Sequence, residues 1–266
     1  MHPFLKYLKK AILLVSAALA GVAMAAGGPV VFTWSPANTT PALSVVGSSI
    51  TADTIEVKTY LTSTIQANGT APFHQILQIT GFDLNGLPVS APGFNSTYGL
   101  YFDINGITKF GPGPPSYSVL NIALMADPGN NNGALSATTV AGLQFANGTG
   151  GDILLGSGSL VSASLQLDAT GTRHAQYVDT FAAAGGEAAF FSAVFPYLDI
   201  TLTTPAANFA AIAQPDGTTI DLVNGGSGLV TAAAPEPGSM ALLGSGLVAV
   251  FLASRRKSLR NETRYV

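Results

Sequence analysis

Alternation of apolar and polar residues is the feature of this sequence that most restricts its fold. In residues 54–66, Ile55, Val57, Leu61 and Ile65 share one parity, polar residues hold the other, and Tyr60 is the exception. This period of two predicts strands with one buried face. The same pattern occurs at Tyr98, Leu100, Phe102 and Ile104; at Leu120, Ile122 and Leu124; at Val161, Ala163, Leu165 and Leu167; at Leu198, Ile200 and Leu202; and at Ile220 and Leu222.

Turn-forming dipeptides separate these stretches. Asn-Gly and Asp-Gly accept the positive φ angles of tight hairpins, so their recurrence indicates antiparallel pairing. The pairs are Asn68-Gly69, Asn85-Gly86, Asn105-Gly106, Asn147-Gly148, Asp216-Gly217 and Asn224-Gly225. The fold class predicted for residues 26–234 is therefore all-β, as a single antiparallel β-sandwich or jelly-roll-like domain.

Residues 1–25 have the three parts of a secretory signal peptide. Lys6, Lys9 and Lys10 precede an apolar run at 11–22, and Ala23 and Ala25 form an A-x-A signal peptidase site. We expect an N-terminal signal helix that is cleaved by signal peptidase. The body would then fold outside the cytoplasm.

Charged residues are scarce, at 9% of the chain against roughly 25% in an ordinary soluble domain. Between residues 26 and 234, three basic residues (Lys58, Lys109 and Arg173) face twelve acidic ones, a net charge of −9 with His neutral. Phosphate binding needs clustered Lys and Arg, so nucleic acid is not a predicted partner. The chain has no Cys, which excludes disulfides and thiolate chemistry.

No constellation of residues indicates catalysis, a cofactor or a metal. His74 is interpreted as a hydrogen-bonded surface residue on a strand, and His174 as a loop residue, because neither has a partner at metal-ligand spacing. The stretch GGSGL at 225–229 lacks the second Gly of a nucleophile elbow. No catalytic, cofactor-binding or metal-binding residue is predicted, and the chain is expected not to be an enzyme.

The stretch DPGNNNG at 127–133 is rich in oxygen-bearing side chains. It fails the spacing of an EF-hand loop, because Gly129 stands at the third ligand position and no Glu closes the loop. It is interpreted as an Asn-rich turn.

The body's many Ser, Thr, Asn and Gln residues suit contact with polysaccharide or with other copies of the chain, because neutral groups are cheaper to desolvate than ions. Two alternatives remain open. A secreted glycan hydrolase would need two carboxylates that only the fold could bring together. A carbohydrate-binding module would need exposed rings, with Trp34, Tyr98, Tyr101 and Tyr117 as possible platforms.

A short apolar run at 240–253 follows Pro235, Glu236, Pro237 and Gly238, and precedes the basic cluster Arg255, Arg256 and Lys257. Its fourteen residues would span about 21 Å as a helix, against a hydrocarbon core of about 30 Å. Flanking residues extend it to a marginal C-terminal membrane helix, and the basic cluster should stay cytoplasmic together with the tail 258–266.

These three parts in this order resemble the PEP-CTERM sorting signal of exported bacterial proteins. Pro235, Glu236 and Pro237 match the named motif, residues 239–254 the membrane segment, and Arg255, Arg256 and Lys257 the basic terminus. The resemblance implies recognition by exosortase, a membrane transpeptidase-like enzyme. The C-terminal helix would hold the chain in the inner membrane transiently. The resemblance further implies that the enzyme cuts near the motif and releases or transfers the body to the cell surface or an extracellular matrix.

The body resembles the flocculation-associated members of that group, in residues 32–36 (FTWSP), 95–102 (NSTYGLYF) and 187–200 (EAAFFSAVFPYLDI). The function that this implies is a non-enzymatic surface or matrix protein, structural or adhesive in exopolysaccharide or floc formation. Exopolysaccharide and other copies of the chain are its expected partners, beside exosortase and signal peptidase.

Overall fold

The computed structural model describes residues 30–43, 49–110, 115–138, 142–185, 187–192 and 196–233. Within these ranges the chain forms strands and three short 3-10 helices (Pro36–Asn38, Ala188–Phe190 and Ala206–Asn208), with no α-helix. The strands are β1 (Phe32–Trp34), β2 (Ile50–Ala52), β3 (Thr54–Ile65), β4 (Thr70–Leu84), β5 (Leu87–Pro88), β6 (Tyr98–Lys109), β7 (Ser116–Pro128), β8 (Leu135–Thr138), β9 (Gly142–Phe145), β10 (Ile153–Leu167), β11 (Arg173–Thr180), β12 (Ala182–Ala183), β13 (Tyr197–Thr204), β14 (Phe209–Ala213) and β15 (Thr219–Ala233).

The predicted terminal helices fall outside this range. The signal peptide at 1–25, the sorting segment at 235–257 and the tail at 258–266 are not among the described residues. Among the residues that are described, no helix combines the length and the apolar character needed to span a bilayer.

Eight strands form a closed barrel. They pair in the order β11, β13, β15, β3, β4, β6, β7 and β10, and β10 pairs back with β11. All of these pairings are antiparallel. The all-β prediction is confirmed, but the body is a barrel rather than the predicted sandwich. A strand with one buried face has the same period of two in either architecture, so the pattern does not distinguish them.

The predicted alternation accounts for most of the barrel interior. On β6, β7 and β13 every residue predicted to face inward is buried. On β3, Ile55 and Val57 are buried, whereas Leu61 and Ile65 are half-buried. On β10 the pattern holds in part: Ala163 and Leu165 pack against the core, whereas a bulge between Leu160 and Ser162 leaves Val161 exposed, and Leu167 is exposed at the end of the strand.

Four of the six predicted turn dipeptides lie between strands, each with its Gly at positive φ. Asn105-Gly106 instead lies within β6, where the Phe73 ring of β4 packs against the Gly106 backbone. Asn224-Gly225 lies within β15, at a bulge. There Gly225 has φ 88°. On one edge of β15 the paired strand changes at this bulge from β14 to β13, while β3 remains paired on the other edge.

Aromatic side chains fill one end of the barrel, which we call the aromatic end. The Trp34 ring centroid lies 5.0 Å from Phe32, 5.7 Å from Phe82 and 5.3 Å from Phe190. Trp34 is only 1% exposed. Backbone pairing of Trp34 with Phe191 ties β1 to the segment after β12. This cluster seals the end formed by the start of β6 and the end of β4.

A second apolar cluster lies outside the barrel wall. The β8–β9 hairpin packs Leu135, Leu143 and Phe145 against outward-facing residues that include Tyr60 and Tyr101. Tyr60, the exception to the β3 pattern, therefore belongs to this outer cluster. The loop before β8 lies against β6, where Asn130 comes close to Gly99.

The contact between Phe73 and Gly106 predicts that Gly106→Ala destabilises the barrel. An added Cβ would lie 2.5 Å from Phe73 Cζ and 2.7 Å from the Val119 carbonyl oxygen, too close without backbone movement. Overpacking of this kind costs about 1–3 kcal/mol. Urea unfolding of the purified chain measures the loss. The control is Gly150→Ala, whose Cβ would meet no atom within 4 Å. Equal unfolding midpoints for the two variants would contradict the expectation.

Candidate functional site

The residues predicted to direct sorting lie outside the described structure. These are Pro235, Glu236, Pro237 and Gly238, the basic cluster Arg255, Arg256 and Lys257, and the signal peptidase residues Ala23 and Ala25. Within the described residues, a binding or catalytic site would have to lie on the barrel.

A pocket lies at the polar end of the barrel, opposite the aromatic end. Its walls come from the start of β4, β7, β11 and β15 and from the end of β3, β6, β10 and β13. Its cavity volume is about 60 Å³, which gives room for a few water molecules or one small polar group. Aromatic rings (Phe73, Phe110, Tyr117 and Tyr177) and polar side chains (Ser63, Gln75, Arg173, Thr204 and Asp221) line it together.

A chain of hydrogen bonds runs from this pocket into the barrel. The hydroxyl oxygens of Tyr117 and Tyr177 are 3.3 Å apart, and Tyr177 donates to Gln75 Oε1 over 3.4 Å. Gln75 Nε2 then donates to Thr59 Oγ1 over 2.8 Å. Burial raises the pKa of both phenols, so they remain neutral donors and acceptors. The chain satisfies four polar side chains that would otherwise be costly inside an apolar barrel.

Arg173 balances the pocket's carboxylate. Its guanidinium lies 3.5 Å from Asp221 Oδ2 and stacks on the Phe209 ring, 3.5 Å from the ring centroid. Burial raises the pKa of Asp221, and the nearby Arg173 opposes that shift. Asp221 is the one carboxylate among the described residues that line the pocket. The arrangement can hold a small neutral or zwitterionic group through paired donors and acceptors.

Asp179 is a buried acid without a partner. It lies on β11 between Leu160 of β10 and Leu198 of β13, and it is 0% exposed. Neither carboxylate oxygen has a hydrogen-bond donor among the described residues. Burial raises the pKa of Asp179 to about 7. Sequence reasoning missed it, although the parity of β11 places it on the same face as Ala175 and Tyr177.

The two histidines have single carboxylate partners. His74 Nε2 lies 3.0 Å from Asp103 Oδ1, at the barrel surface on β4, which confirms its prediction. His174 lies within β11 rather than in the predicted loop, and its Nε2 is 3.3 Å from Asp168 Oδ2. Among the described residues, no three His, Asp or Glu side chains converge as a metal-binding group.

The aromatic residues considered as sugar platforms are mostly core residues. Trp34, Tyr98 and Tyr101 are at most 3% exposed, so none of them can stack on a ligand. Tyr117 differs, because it is half-buried and lines the pocket at the polar end. Interior parity on β6 accounts for Tyr98, whereas Tyr101 faces outward and is covered by Phe145 of the β8–β9 hairpin.

The unpartnered Asp179 predicts a decline in stability with rising pH. Near pH 4 and below, Asp179 is protonated in the folded chain. Between pH 4 and 7 the unfolded chain ionises this group while the folded chain retains the proton. The free energy of unfolding therefore falls through this window, by up to about 4 kcal/mol for a shift of this size. Above about pH 7 it levels off.

Asp179→Asn should remove that decline and should unfold at higher urea concentration than the wild type at pH 8. The matched control is Asp199→Asn, which removes an outward-facing carboxylate from the adjacent strand β13. This control should keep the wild-type pH dependence. A wild-type unfolding midpoint that does not change between pH 4 and 8 would contradict the assignment.

Comparison with known proteins finds one feature. Residues 233–257 match the family model described as the PEP-CTERM protein-sorting motif. No curated protein and no solved structure matches the chain. The matched segment contains the Pro235-Glu236-Pro237 motif, the apolar run and the basic cluster. The motif supports an exported protein that exosortase-type machinery sorts to the cell surface.

Proposed function

We propose that the barrel is a non-enzymatic structural or adhesive component of an extracellular matrix, acting in exopolysaccharide or floc formation. The observation that carries this proposal is the sorting motif at residues 233–257. It gives the chain a destination at the cell surface. The barrel is then the part that acts there, with exopolysaccharide or other copies of the chain as its partner.

The position of the motif relative to the barrel supports processing that leaves the fold intact. Strand β15 ends at Ala233, which pairs with Tyr197 of β13. The motif proper begins two residues later, at Pro235. Because β15 also pairs with β3 through twelve residue pairs, its loss would open the barrel. A cut near or after Pro235 would separate the sorting segment without removing any residue of the sheet.

An outer surface with few charges supports the role in matrix contact, although Asp199 of β13 accepts a hydrogen bond from Gln176 there. We define the polar face as the outward residues of the neighbouring strands β10, β11, β13 and β15. Pairing brings Ser164, Gln176, Thr201 and Leu229 into one row across these strands, and Gln166, His174, Thr203 and Ser227 into the next. Most of these residues are exposed. Rows of hydroxyl and amide groups can hydrogen-bond to sugar hydroxyls at a small desolvation cost.

The packing of the interior supports a role without turnover. Apolar side chains of the main core cluster fill the barrel from the aromatic end to the Tyr117–Thr59 hydrogen-bond chain. The pocket at the polar end has a volume of about 60 Å³, and Arg173 offsets its carboxylate. Glycoside hydrolysis needs two carboxyl groups that flank one bond.

The sorting step is tested by replacing Pro235, Glu236 and Pro237 together with Ala in the native host. We expect the full-length chain to accumulate in the membrane fraction and to disappear from the surface or matrix fraction. The matched control replaces Asn261, Glu262 and Thr263 with Ala, in the tail. Fractionation and intact-mass analysis measure both outcomes. Unchanged processing and location of the first variant would contradict the assignment of the motif.

Matrix contact is tested by replacing Gln166, Gln176 and Thr201 of the polar face with Ala. Loss of three hydrogen-bonding side chains should weaken co-sedimentation with the host exopolysaccharide, or self-association, by about tenfold or more. The matched control replaces the exposed Asn105, Ser118 and Asn121 on β6 and β7 with Ala. Equal binding by the two variants would contradict the role of the polar face.

Release of reducing sugar ends by the wild type would contradict the non-enzymatic role.

A further inference from the structure

The loop from β7 to β8 contacts two acids, the buried Asp127 and the half-buried Asp152. Asp127, near the end of β7, is 4% exposed, and its carboxylate accepts the backbone N–H groups of Asn131 and Asn132 over 3.1 and 3.0 Å. Asp152, just before β10, accepts the Asn132 side chain (Nδ2 to Oδ2, 2.9 Å). Asn132 thus bridges the two carboxylates, with its backbone at one and its side chain at the other.

Two oxygens of this group have no partner. Asn132 is 3% exposed and borders a small cavity, yet its Oδ1 accepts no hydrogen bond from any described residue. Oδ1 of Asp152 is buried and equally unpartnered, while its Oδ2 accepts Tyr101 and Asn132. An unpartnered buried oxygen costs about 1–3 kcal/mol, and more when it is charged. Two on neighbouring side chains indicate a missing positive partner.

The cavity beside Asn132 is small and rich in oxygen. Its volume is about 20 Å³, enough for a single water molecule or ion. Asp127 and Asn130 line it from the loop, and Gly99 of β6 lines it from the wall. A Cβ on Gly99 would lie 2.9 Å from Asn130 Oδ1 and 3.7 Å from Asp127 Oδ2. The absence of a side chain at residue 99 therefore leaves space beside both oxygens.

No described basic side chain offsets these charges. The described ion pairs of the barrel involve Asp103, Asp168 and Asp221, and neither Asp127 nor Asp152. The hydrogen-bond donors to Asp152 are the Tyr101 hydroxyl and the Asn132 carboxamide, and neither group carries a positive charge.

We propose that this loop is a calcium site, in which Asp127, Asn130 and Asn132 supply oxygen ligands from one segment and Asp152 supplies them from a second, both beside β6. Calcium accepts six to eight oxygens, including neutral carboxamide and carbonyl oxygens and water, at flexible geometry. The two carboxylates offset its double charge. The site differs from an EF-hand, because its ligands come from residues 127–132 and from Asp152 rather than from one twelve-residue loop.

The choice of calcium follows from the donors. All four side chains offer oxygen, and no His or Cys lies among them, which disfavours zinc and copper. Magnesium requires a tighter octahedral arrangement and retains its waters, so it fits a cavity lined by carboxamides less well. An extracellular protein meets calcium at concentrations that weak sites of this kind can use.

The test is thermal unfolding of the purified full chain after removal of metals with a chelator, with and without CaCl₂. At a calcium concentration about 100-fold above Kd, the midpoint should rise by about 5–10 °C. MgCl₂ at the same concentration should raise it by less than half as much. Calorimetric titration with CaCl₂ should give one site per chain. An unchanged midpoint without binding heat would overturn the proposal and leave a buried water in the cavity.

Two variants and one control locate the site. Asp152→Asn keeps a hydrogen-bond acceptor for Tyr101 but removes the charge, and it should weaken calcium binding tenfold or more. Asp216→Asn removes an exposed carboxylate from the turn before β15 and should bind calcium as the wild type does. Equal calcium binding by the two would overturn the assignment.

Asn132→Asp tests the same site in a second way, which does not depend on the folding of Asp152→Asn. A third carboxylate should make the metal-free chain less stable and should enlarge the calcium-dependent rise in the unfolding midpoint. A purely structural role for Asn132 predicts the first effect without the second. A calcium response no larger than that of the wild type would therefore count against the site.

Discussion

The ladder between β10 and β11 is the interaction on which the rest of the barrel depends. Leu160–Leu167 of β10 pair with Arg173–Asp179 of β11, which closes the eight-stranded order into a ring. Closure removes the two free edges that an open sheet would present to other chains. It also divides every strand into an inward and an outward face. The apolar core, the polar end and the polar face all follow from that division.

Closure places a strict demand on volume. Eight strands leave an interior only wide enough for side chains, so large residues on one strand must meet small ones on the next. Phe73 packs on Gly106, and Leu202 faces Gly228. The aromatic end is filled by Trp34 and its neighbours, whereas at the polar end Tyr117, Tyr177 and Gln75 carry hydrogen bonds across the same space. Binding groups are therefore confined to one end and to the outer wall.

Local sequence patterns predicted the strands but not how they close. Leu100, Phe102 and Ile104 were found by their parity, because alternation is a property of one strand. The bulge between Leu160 and Ser162 depends on both partners of β10, so the exposure of Val161 could not be derived from β10 alone. Asn105-Gly106 has the composition of a turn, yet the need for space under Phe73 explains its glycine.

The candidate sites illustrate the same limit. Parity could have placed Tyr177 and Asp179 together on β11, but not their contacts with Gln75 or Leu198. The stretch at 127–133 is rich in oxygen-bearing side chains, but the spacing within this one segment does not match an EF-hand loop. Asp152 lies twenty residues beyond Asn132, and the β8–β9 hairpin between them returns the chain so that the two side chains meet.

In a chain with so few charges, each buried carboxylate needs its own compensation, and the barrel contains three kinds. Asp221 has Arg173 within 3.5 Å and can remain ionised. Asp179 pairs across the sheet with Leu160 and Leu198 and finds no donor among the described residues, so burial favours its protonated form. Asp127 accepts two backbone N–H groups, and Asn132 links it to Asp152. Neutral donors already occupy one oxygen of Asp152, so the remaining oxygens favour a shared cation. Export would supply that cation from outside, after folding has gathered its ligands.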